Sequence, residues 1–492
     1  MTARLRNSLI VLLIFLGTFL TANQTWADSQ KKSRPNILFL FSDDQRADAL
    51  SAYDNPHIRT PNLDQLVRTG FSFRNAFCMG SIHGAVCQPS RAMLNSGRTL
   101  YHVPMDLKGV ITLPQLLKQA GYTTFGTGKW HNQSDSFQKS FTTGTAVFIG
   151  GMSNHLKVPV VDLKDGKFEN KRIGVKFSNE LFVDAAVDFL NEHPQDEPFY
   201  AYVAFTSPHD PRMPPAAAMK VYENVRPPLP KNFMSQHPFN NGWMTGRDEV
   251  LTGWPRQPEI IREQLAEYYG MITDMDSQIG RILNTLKEKG LDENTIVIFS
   301  SDHGLALGSH GLLGKQNLYE HSMKSPLIFK GPGIPQNESS NALVYLYDIF
   351  PTVCDLTHTQ VPAGVEGSDL APIWRGKTDR VRDSLFTTYE NLMRAVRDDR
   401  WKLIRYPQIN KTQLFDLKQD PHELQDLSQN PEQKERVQKM LTLLKNWQQK
   451  TDDNQPLTSD HPQPETIDLT GRKRKPDQHQ PRWIVEKYFD SE

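Results

Sequence analysis

Four predicted strands, each followed within three residues by charged or metal-binding residue types, constrain the fold of this chain more than any other feature. Their predicted bounds are 36–42, 122–127, 199–206 and 295–300. The first segment reads NILFLFS and does not alternate between apolar and polar residues, which is typical of a strand buried on both faces. Such strands belong to parallel sheets that helices cover on both sides.

Predicted helices alternate with these strands. Thr60 and Pro61 supply an N-cap and a first-turn proline for a helix that ends at Gly70. Further helices are predicted over 113–120, 178–192 and 259–289. Strands that alternate with helices predict the α/β class, with a mostly parallel, doubly wound sheet flanked by helices.

The pattern changes near residue 376. Short strands are predicted over 384–388, 393–396 and 401–406, followed by an amphipathic helix over 431–449 and a polar tail from Thr451 that we expect to be loosely held or partly disordered. A chain of 492 residues is too long for one core. We therefore expect a large α/β domain over 28–375 and a C-terminal subdomain with a small antiparallel sheet over 376–492.

The N-terminus has the features of a secretory signal peptide. Arg4 and Arg6 precede an apolar stretch over 8–20, and small residues follow at Ala22 and Ala27. Cleavage after Ala27 makes residues 1–27 the signal peptide, with Ala22 as the alternative. The stretch is shorter than a bilayer requires, so the sequence predicts export to the periplasm or medium without a stable membrane anchor.

Composition limits both the class of binding partner and the disulfide bonds that this chain can have. Lysine plus arginine and aspartate plus glutamate both total 56, so no bulk charge favours nucleic acid. The three cysteines, Cys78, Cys87 and Cys354, do not make a disulfide framework. A Cys78–Cys87 bridge and three buried thiols both remain open.

The residues that follow the strands predict one site. Ligands of doubly wound sheets bind beyond the carboxyl ends of the strands. The residues found there are Asp43 and Asp44, Lys129 and His131, His209 and Asp210, and Asp302 and His303. Adjacent carboxylates repel each other unless a cation is present, and oxygen ligands favour Ca²⁺ or Mg²⁺. We therefore expect a metal site at this edge.

The most specific motif is CQPSRAMLNSGR, over residues 87–98. It resembles the signature of the type I sulfatases, members of the alkaline-phosphatase-like superfamily. The resemblance implies that a formylglycine-generating enzyme oxidises Cys87 to formylglycine, whose hydrated aldehyde is the nucleophile. Pro89 and the helix that follows are expected to place residue 87 at a helix N-terminus, which favours anions. Arg91 is expected to add a positive fork nearby.

The motif SSDHG, over 300–304, resembles the metal-binding segment of the same family. The resemblance implies Ca²⁺ bound by Asp43, Asp44, Asp302, His303 and the formylglycine oxygen at residue 87. Many members carry asparagine where this chain has His303. A subset of carbohydrate-acting sulfatases has histidine there.

Three further motifs, GTGKWH, SPHDPR and GSHGLLGK, resemble family segments around the sulfate. The resemblance implies that Lys129 and Lys315 bind sulfate oxygens and that His131 takes a proton from the nucleophile as sulfate leaves. It also implies that His209 contacts sulfate and protonates the departing alcohol. His310 is a candidate for lining the substrate pocket.

Together these features predict an exported hydrolase of sulfate esters, with a sulfated carbohydrate favoured as substrate. The implied fold is a large α/β domain with a small four-stranded antiparallel sheet. A phosphate or phosphonate ester hydrolase on the same scaffold is the first alternative. An exported glycan-binding protein without catalytic activity is the second.

Overall fold

The computed structural model describes residues 34–472 and 474–489, which form two β-sheets and the helices around them. The strands in chain order are β1 (Asn36–Ser42), β2 (Phe71–Phe77), β3 (Gly80–Ser81), β4 (Thr123–Lys129), β5 (Thr143–Phe148), β6 (Pro159–Lys164), β7 (Lys167–Ile173), β8 (Phe199–Ala204), β9 (Thr295–Ser301), β10 (Lys324–Lys330), β11 (Glu338–Tyr345), β12 (Leu385–Tyr389), β13 (Met393–Arg397), β14 (Trp401–Tyr406) and β15 (Lys411–Asp416). The predicted signal peptide lies outside the described residues.

The larger sheet has ten strands in the order β11-β2-β10-β9-β1-β8-β4-β5-β6-β7. Its centre, β9-β1-β8-β4-β5, is entirely parallel, whereas β10, β6 and β7 pair in antiparallel fashion. The four predicted strands are neighbours in this centre, which confirms the predicted mostly parallel sheet. The sequence analysis missed β6 and β7 because these two strands lie partly exposed and have no continuous apolar run.

The helices in chain order are α1 (Pro61–Arg68), α2 (Cys87–Ser96), α3 (Leu113–Gln119), α4 (Ser134–Ser140), α5 (Ser178–Glu192), α6 (Ala216–Met219), α7 (Pro258–Glu288), α8 (Glu320–Met323), α9 (Ile349–Leu356), α10 (Ala371–Trp374), α11 (Lys434–Lys450) and α12 (Arg482–Tyr488). Within the described ranges, no helix is long and apolar enough to cross a membrane.

Both faces of the larger sheet are covered. Along β1, Ile37 and Phe39 enter one hydrophobic core, and Leu38 and Leu40 enter the other. Side chains of successive strand residues point to opposite faces, so this division places apolar layers on both sides of the sheet. The predicted doubly wound arrangement is confirmed.

The smaller sheet has the order β15-β14-β13-β12-β3, and all its pairs are antiparallel except β12 with β3. Strand β3 comes from the segment just before Cys87, so this sheet joins the chain that leads into α2. The contact is close: a Cβ on Gly80, where φ is +105°, would lie 1.9 Å from the carbonyl oxygen of Thr388. Glycine is therefore required there.

The expectation of a loosely held tail was wrong. Leu469 and Ile484 are only 1% and 3% exposed, and Ile484 packs in a small core with Met271 of α7. A few apolar side chains in a polar segment are enough to dock it, because each buried side chain of this size stabilises by about 1.5–3 kcal/mol.

Candidate active site

The carboxyl ends of four neighbouring strands meet beside the N-terminus of α2. Asp43 and Asp44 follow β1, Lys129 ends β4, His209 follows β8, and Asp302 follows β9. Because these strands are adjacent in the order β9-β1-β8-β4, their end residues converge. The loop before α8 adds Lys315, and α2 adds Cys87 and Arg91.

Cys87 is the first residue of α2, as predicted, and is 3% exposed. Its Sγ lies 3.4 Å from Lys315 Nζ, 3.4 Å from His303 Nε2 and 3.7 Å from Asp44 Oδ1. Burial raises the pKa of this thiol well above its usual range, and Lys129 and Lys315 offset only part of the effect. The encoded cysteine is therefore a protonated thiol rather than a thiolate nucleophile. All three cysteines have free thiols, so the structure contains no Cys78–Cys87 bridge.

Arg91 is fully buried and contacts two of the acids of the cluster. Its Nε and Nη2 donate to Asp302 Oδ2 at 3.2 and 3.1 Å, and Nη2 lies 3.5 Å from Asp43 Oδ1. Its Nη1 donates to the carbonyl oxygen of Lys129 at 2.9 Å. Burial alone raises the pKa of Asp302, but His303 and Arg91 outweigh it and hold that pKa below its usual range. The guanidinium thus holds the carboxylates of Asp302 and Asp43 and the C-terminal end of β4 in place.

Two lysines pair with the two aspartates at the end of β1. Lys129 Nζ donates to Asp43 Oδ2 at 2.6 Å, and Lys315 Nζ donates to both Asp44 carboxylate oxygens at 2.9 Å. With Arg91 and Asp302, the three cations and three carboxylates cancel in formal charge. An added divalent cation would therefore leave the site positive and suited to an anion.

His209 is held as a neutral imidazole beside Lys315. Its Nδ1 lies 2.8 Å from the carbonyl oxygen of Asp210, and its Nε2 lies 2.9 Å from Lys315 Nζ. Nδ1–H therefore donates to the carbonyl while Nε2 accepts from the ammonium. Burial, followed by Lys315, lowers the pKa of His209 well below its usual range. His155, which the sequence analysis missed, supports this loop through Nε2, 2.9 Å from the His209 carbonyl oxygen.

His131 lies on the β4 side of the cluster. Its backbone has φ +69°, and its ring packs so closely on Gly151 that a Cβ there would lie 2.4 Å from Nε2. Nδ1 is buried and finds no hydrogen-bond partner among the described residues. Burial, followed by Lys129, lowers the pKa of His131 well below its usual range. The ring is therefore neutral and able to accept a proton.

The residues predicted to bind metal fit a hard divalent cation. Ligand atoms of Asp43, Cys87 and Asp302 lie within 4.8 Å of one another, as do those of Asp44, Cys87 and His303. Asp43 Oδ1 is buried and accepts no hydrogen bond from any described residue. His303 Nδ1 donates to the carbonyl oxygen of Gly304 at 2.9 Å, so Nε2 is the ring nitrogen that faces the cluster, 3.4 Å from Cys87 Sγ. Carboxylate oxygens suit Ca²⁺ or Mg²⁺.

His310 does not join this cluster. Four residues of its loop have positive φ, namely Leu307, Gly308, His310 and Gly311. This turn leaves the His310 ring stacked on Tyr319, with centroids 3.9 Å apart, while Lys315 reaches Cys87. The expectation that His310 lines the substrate pocket thus finds no support in the structure.

The structure adds charged residues that the motifs did not identify. Arg247 Nη1 donates to Asp210 Oδ1 at 2.7 Å and to Asp248 Oδ1 at 2.9 Å, and its side chain is 31% exposed. Asp248 Oδ2 accepts from Gln316 at 3.0 Å, next to Lys315. These residues form a rim beside His209. The sequence signal was only a segment over 222–254 that is rich in prolines, aromatic residues and basic residues.

Comparison with known proteins assigns the chain to a family. Residues 35–359 match the sulfatase family model, and residues 308–450 match the model for the C-terminal part of N-sulphoglucosamine sulphohydrolase. The chain is 26% identical to an N-acetylglucosamine-6-O-sulfatase of Bacteroides thetaiotaomicron, over 90% of this chain and 92% of that protein. It is 28% identical to an ulvan-active sulfatase of Formosa agariphila, over 83% of this chain and 80% of that protein.

Solved structures share the fold. One, described in complex with its substrate D-glucosamine-2-N,6-O-disulfate, has a TM-score of 0.75 at 24% identity and covers 87% of this chain and 100% of its own. A phosphonate monoester hydrolase from Silicibacter pomeroyi has a TM-score of 0.68 at 20% identity, over 86% and 96% of the two chains. The match to the sulfatase family model spans every residue of the strand-end cluster, from Asp43 to Lys315. The chain belongs to the sulfatase family, whose members hydrolyse sulfate esters.

Proposed function

We propose that this protein hydrolyses a sulfate ester of a carbohydrate, using formylglycine made from Cys87 and a divalent cation, Ca²⁺ by preference. The observation that carries the proposal is the position of Cys87 at the start of α2, with Lys315 Nζ and His303 Nε2 each 3.4 Å from Sγ. Formylglycine supplies a hydrated aldehyde as nucleophile, and the cation would be held by Asp43, Asp44, Asp302 and His303.

The lysines of the site bind and polarise the sulfate group. Lys129 and Lys315 are both almost fully buried and are paired with Asp43 and Asp44, respectively. Their ammonium groups are fixed before substrate arrives, so they stabilise charge on the sulfate oxygens without reorganisation. Such preorganised electrostatics supply the largest share of the rate in many enzymes. Arg91 keeps the carboxylates in place.

The Lys315–His209 pair delivers the proton to the leaving group. Burial alone lowers the pKa of Lys315, but Asp44 and the groups around it outweigh burial and hold that pKa well above its usual range. The resting proton is therefore on Lys315, and His209 Nε2 accepts it in a hydrogen bond. We infer that the alcohol receives its proton through this pair. The neutral ring of His131 is placed to accept a proton when sulfate departs.

Sugar recognition is assigned to the rim of Asp210, Arg247 and Asp248. Carboxylates accept hydrogen bonds from hydroxyl groups, and the partly exposed guanidinium of Arg247 supplies positive charge that would attract a second anionic group. The names of the relatives, an N-acetylglucosamine-6-O-sulfatase and an ulvan-active sulfatase, support a carbohydrate substrate.

Mass spectrometry of the tryptic peptide 75–91 tests the nucleophile. The peptide contains Cys87 and also Cys78, which serves as an internal control because burial raises its pKa to about 12. We expect residue 87 to show replacement of the thiol by an aldehyde oxygen, with Cys78 unchanged. A fully active protein with an unmodified Cys87, or a bridge between the two cysteines, would contradict the proposal.

Parallel assays of aryl sulfate, aryl phosphate and aryl phosphonate esters separate this function from the alternative supported by the phosphonate hydrolase fold. We expect the sulfate ester to have the highest kcat/KM. A higher value for phosphate or phosphonate would favour the alternative. Binding of sulfated glycans with no turnover, despite formylglycine at 87, would favour a binding protein.

We also propose that residues 1–27 direct export and that a formylglycine-generating enzyme modifies the chain. N-terminal sequencing of protein recovered outside the cytoplasm tests export, with Asp28 expected as the first residue. Coexpression with and without that enzyme tests modification, because only the modified chain should turn over sulfate esters.

A further inference from the structure

A second group of metal-binding side chains lies outside the active site, where the small sheet approaches the larger one. It consists of His310 in the loop after β9, His321 in α8 and Glu423 in the loop after β15. One ligand atom from each residue lies within 4.8 Å of the others. Residues about 100 positions apart along the chain thus converge on one point.

Three of the four imidazole nitrogens of this group are buried and unpaired among the described residues. His310 Nε2 and both ring nitrogens of His321 have no hydrogen-bond partner within the part of the chain that the structure describes. A buried polar atom left unpaired lowers the stability of a fold by about 1–3 kcal/mol. Three such atoms close together therefore indicate a ligand that pairs with them. Burial lowers the pKa of His310 to about 3 and that of His321 well below its usual range, so both rings present neutral nitrogens.

The relative position of the two rings suits a shared metal. Their centroids lie 5.6 Å apart, with 28° between the planes. Two imidazoles that bind one metal through bonds of about 2.0–2.1 Å have ring centroids separated by about 5–6 Å. Tyr319 stacks on His310 at 3.9 Å and holds that ring in place.

Glu423 supplies the carboxylate. It is 3% exposed, and its Oε2 accepts a hydrogen bond from the backbone nitrogen of Glu320 at 2.8 Å. Its Oε1 forms an ion pair with Lys402 Nζ at 2.8 Å, and the same Nζ lies 3.1 Å from Glu320 Oε1. Lys402 therefore keeps an anionic partner when a metal takes Oε1.

The group borders a cavity of about 570 Å³, which is lined by His321 and Glu423 and by the basic residues Arg46, Arg74 and Lys231. Two imidazoles and one carboxylate leave coordination positions of a metal open to that cavity. Nitrogen ligands favour a transition metal, whereas the oxygen-rich active site favours Ca²⁺. We propose that His310, His321 and Glu423 bind a divalent transition metal of the Zn²⁺ type, separate from the cation at residue 87.

Cobalt absorption tests the proposal on the full-length protein in excess Ca²⁺, which fills the active site. The wild type is expected to take up about one equivalent of Co²⁺ with visible bands of a nitrogen-ligated ion, displaced by Zn²⁺. His321→Asn and Glu423→Gln are expected to weaken binding at least about tenfold, by analogy with the cost of losing metal-site partners. The amide oxygen that Glu423→Gln introduces can still accept from the Glu320 backbone nitrogen, so this variant keeps the test open if His321→Asn does not fold.

His422→Asn is the matched control, because His422 lines the same cavity but is not one of the three ligands. It is expected to bind Co²⁺ like the wild type. The proposal is overturned if the wild type shows no bands, or if the bands survive in both His321→Asn and Glu423→Gln. It is also overturned if Cys87→Ser removes the bands, since the signal would then come from the active site.

Discussion

At the scale of single residues, each of the three carboxylates in the site has its own basic partner. Asp43 pairs with Lys129, whereas Asp44 pairs with Lys315. Arg91, expected beside the nucleophile, directs its donors to Asp302 and to the carbonyl of Lys129. This pairing leaves Lys315 shared between Asp44 and His209, the pair to which we assign the proton for the leaving group.

Replacing His209 by asparagine is expected to slow sugar sulfate hydrolysis about 10²–10⁴-fold, the usual range for general acid help. The hydrolysis of aryl sulfates should slow much less, because a phenolate leaves without a proton. The kcat/KM values of the two substrate classes measure the difference. His358→Asn is the control, because His358 is exposed and has φ +54°, which asparagine tolerates. Equal losses on both substrates would contradict the proton-transfer role.

Cation binding is expected to weaken below about pH 6. Burial, offset in part by Lys315, raises the pKa of Asp44 from 3.8 to about 6, and a proton on this carboxyl competes with the metal. With one competing proton, affinity falls about tenfold per pH unit below that value. In metal-free protein the sign is opposite: the raised pKa stabilises the fold below about pH 4, and this contribution is lost as pH rises through about 6.

Melting temperatures with and without Ca²⁺ at about pH 5 and pH 7, on either side of the Asp44 pKa, test this prediction. The increase in melting temperature that Ca²⁺ causes should be larger at the higher pH, and Asp44→Asn should remove most of this increase. A gain in the wild type that does not change with pH would contradict it.

At the scale of elements, glycines set how closely the functional strands approach. Gly128 has φ +80°, and a Cβ there would lie 1.9 Å from the carbonyl oxygen of Ala204 on β8. It directly precedes Lys129, so the register of β4 against β8 also positions that ammonium group. Gly80 serves the same purpose between β3 and β12, just before the chain enters α2.

Gly128→Ala is expected to destabilise the protein by more than about 2 kcal/mol and to lower kcat, because backbone of β8 must move. Gly121→Ala is the matched control: Gly121 has φ +87°, but a Cβ there meets nothing within 4 Å. Its cost should be limited to about 1–2 kcal/mol of backbone strain, with kcat unchanged. Urea unfolding and turnover measure the two effects. Similar losses for both variants would contradict the close-approach argument.

At the scale of the whole molecule, the C-terminal tail reaches the active-site rim. Gln480 Nε2 donates to Asp210 Oδ2 at 2.9 Å, and Arg247 Nε donates to Asp477 Oδ2 at 2.8 Å. Helix α12 anchors this segment through Ile484. Residues far apart along the chain therefore enclose the site.

Ile484→Asp is expected to undock α12, since an unpaired buried carboxylate is strongly unfavourable. Freed from Asp477 and Gln480, the rim should bind the sugar less well, so KM for the carbohydrate rises severalfold while kcat for an aryl sulfate changes little. Trp483→Ala is the control, because Trp483 is 45% exposed. An unchanged KM in Ile484→Asp, with the tail shown to be released by proteolysis, would contradict this.

The central strands, the residues at their ends and the motif around Cys87 could all be predicted from the sequence. Apolar runs report burial locally, and parallel strands place their carboxyl ends at one edge, so the cluster could be predicted from short segments. The pairing of Lys315 with Asp44 across 271 residues, the stacking of His310 on Tyr319 and the rim that includes Arg247 are visible only in the folded chain. Those outcomes depend on backbone turns and on competition among buried charges, which local patterns do not record.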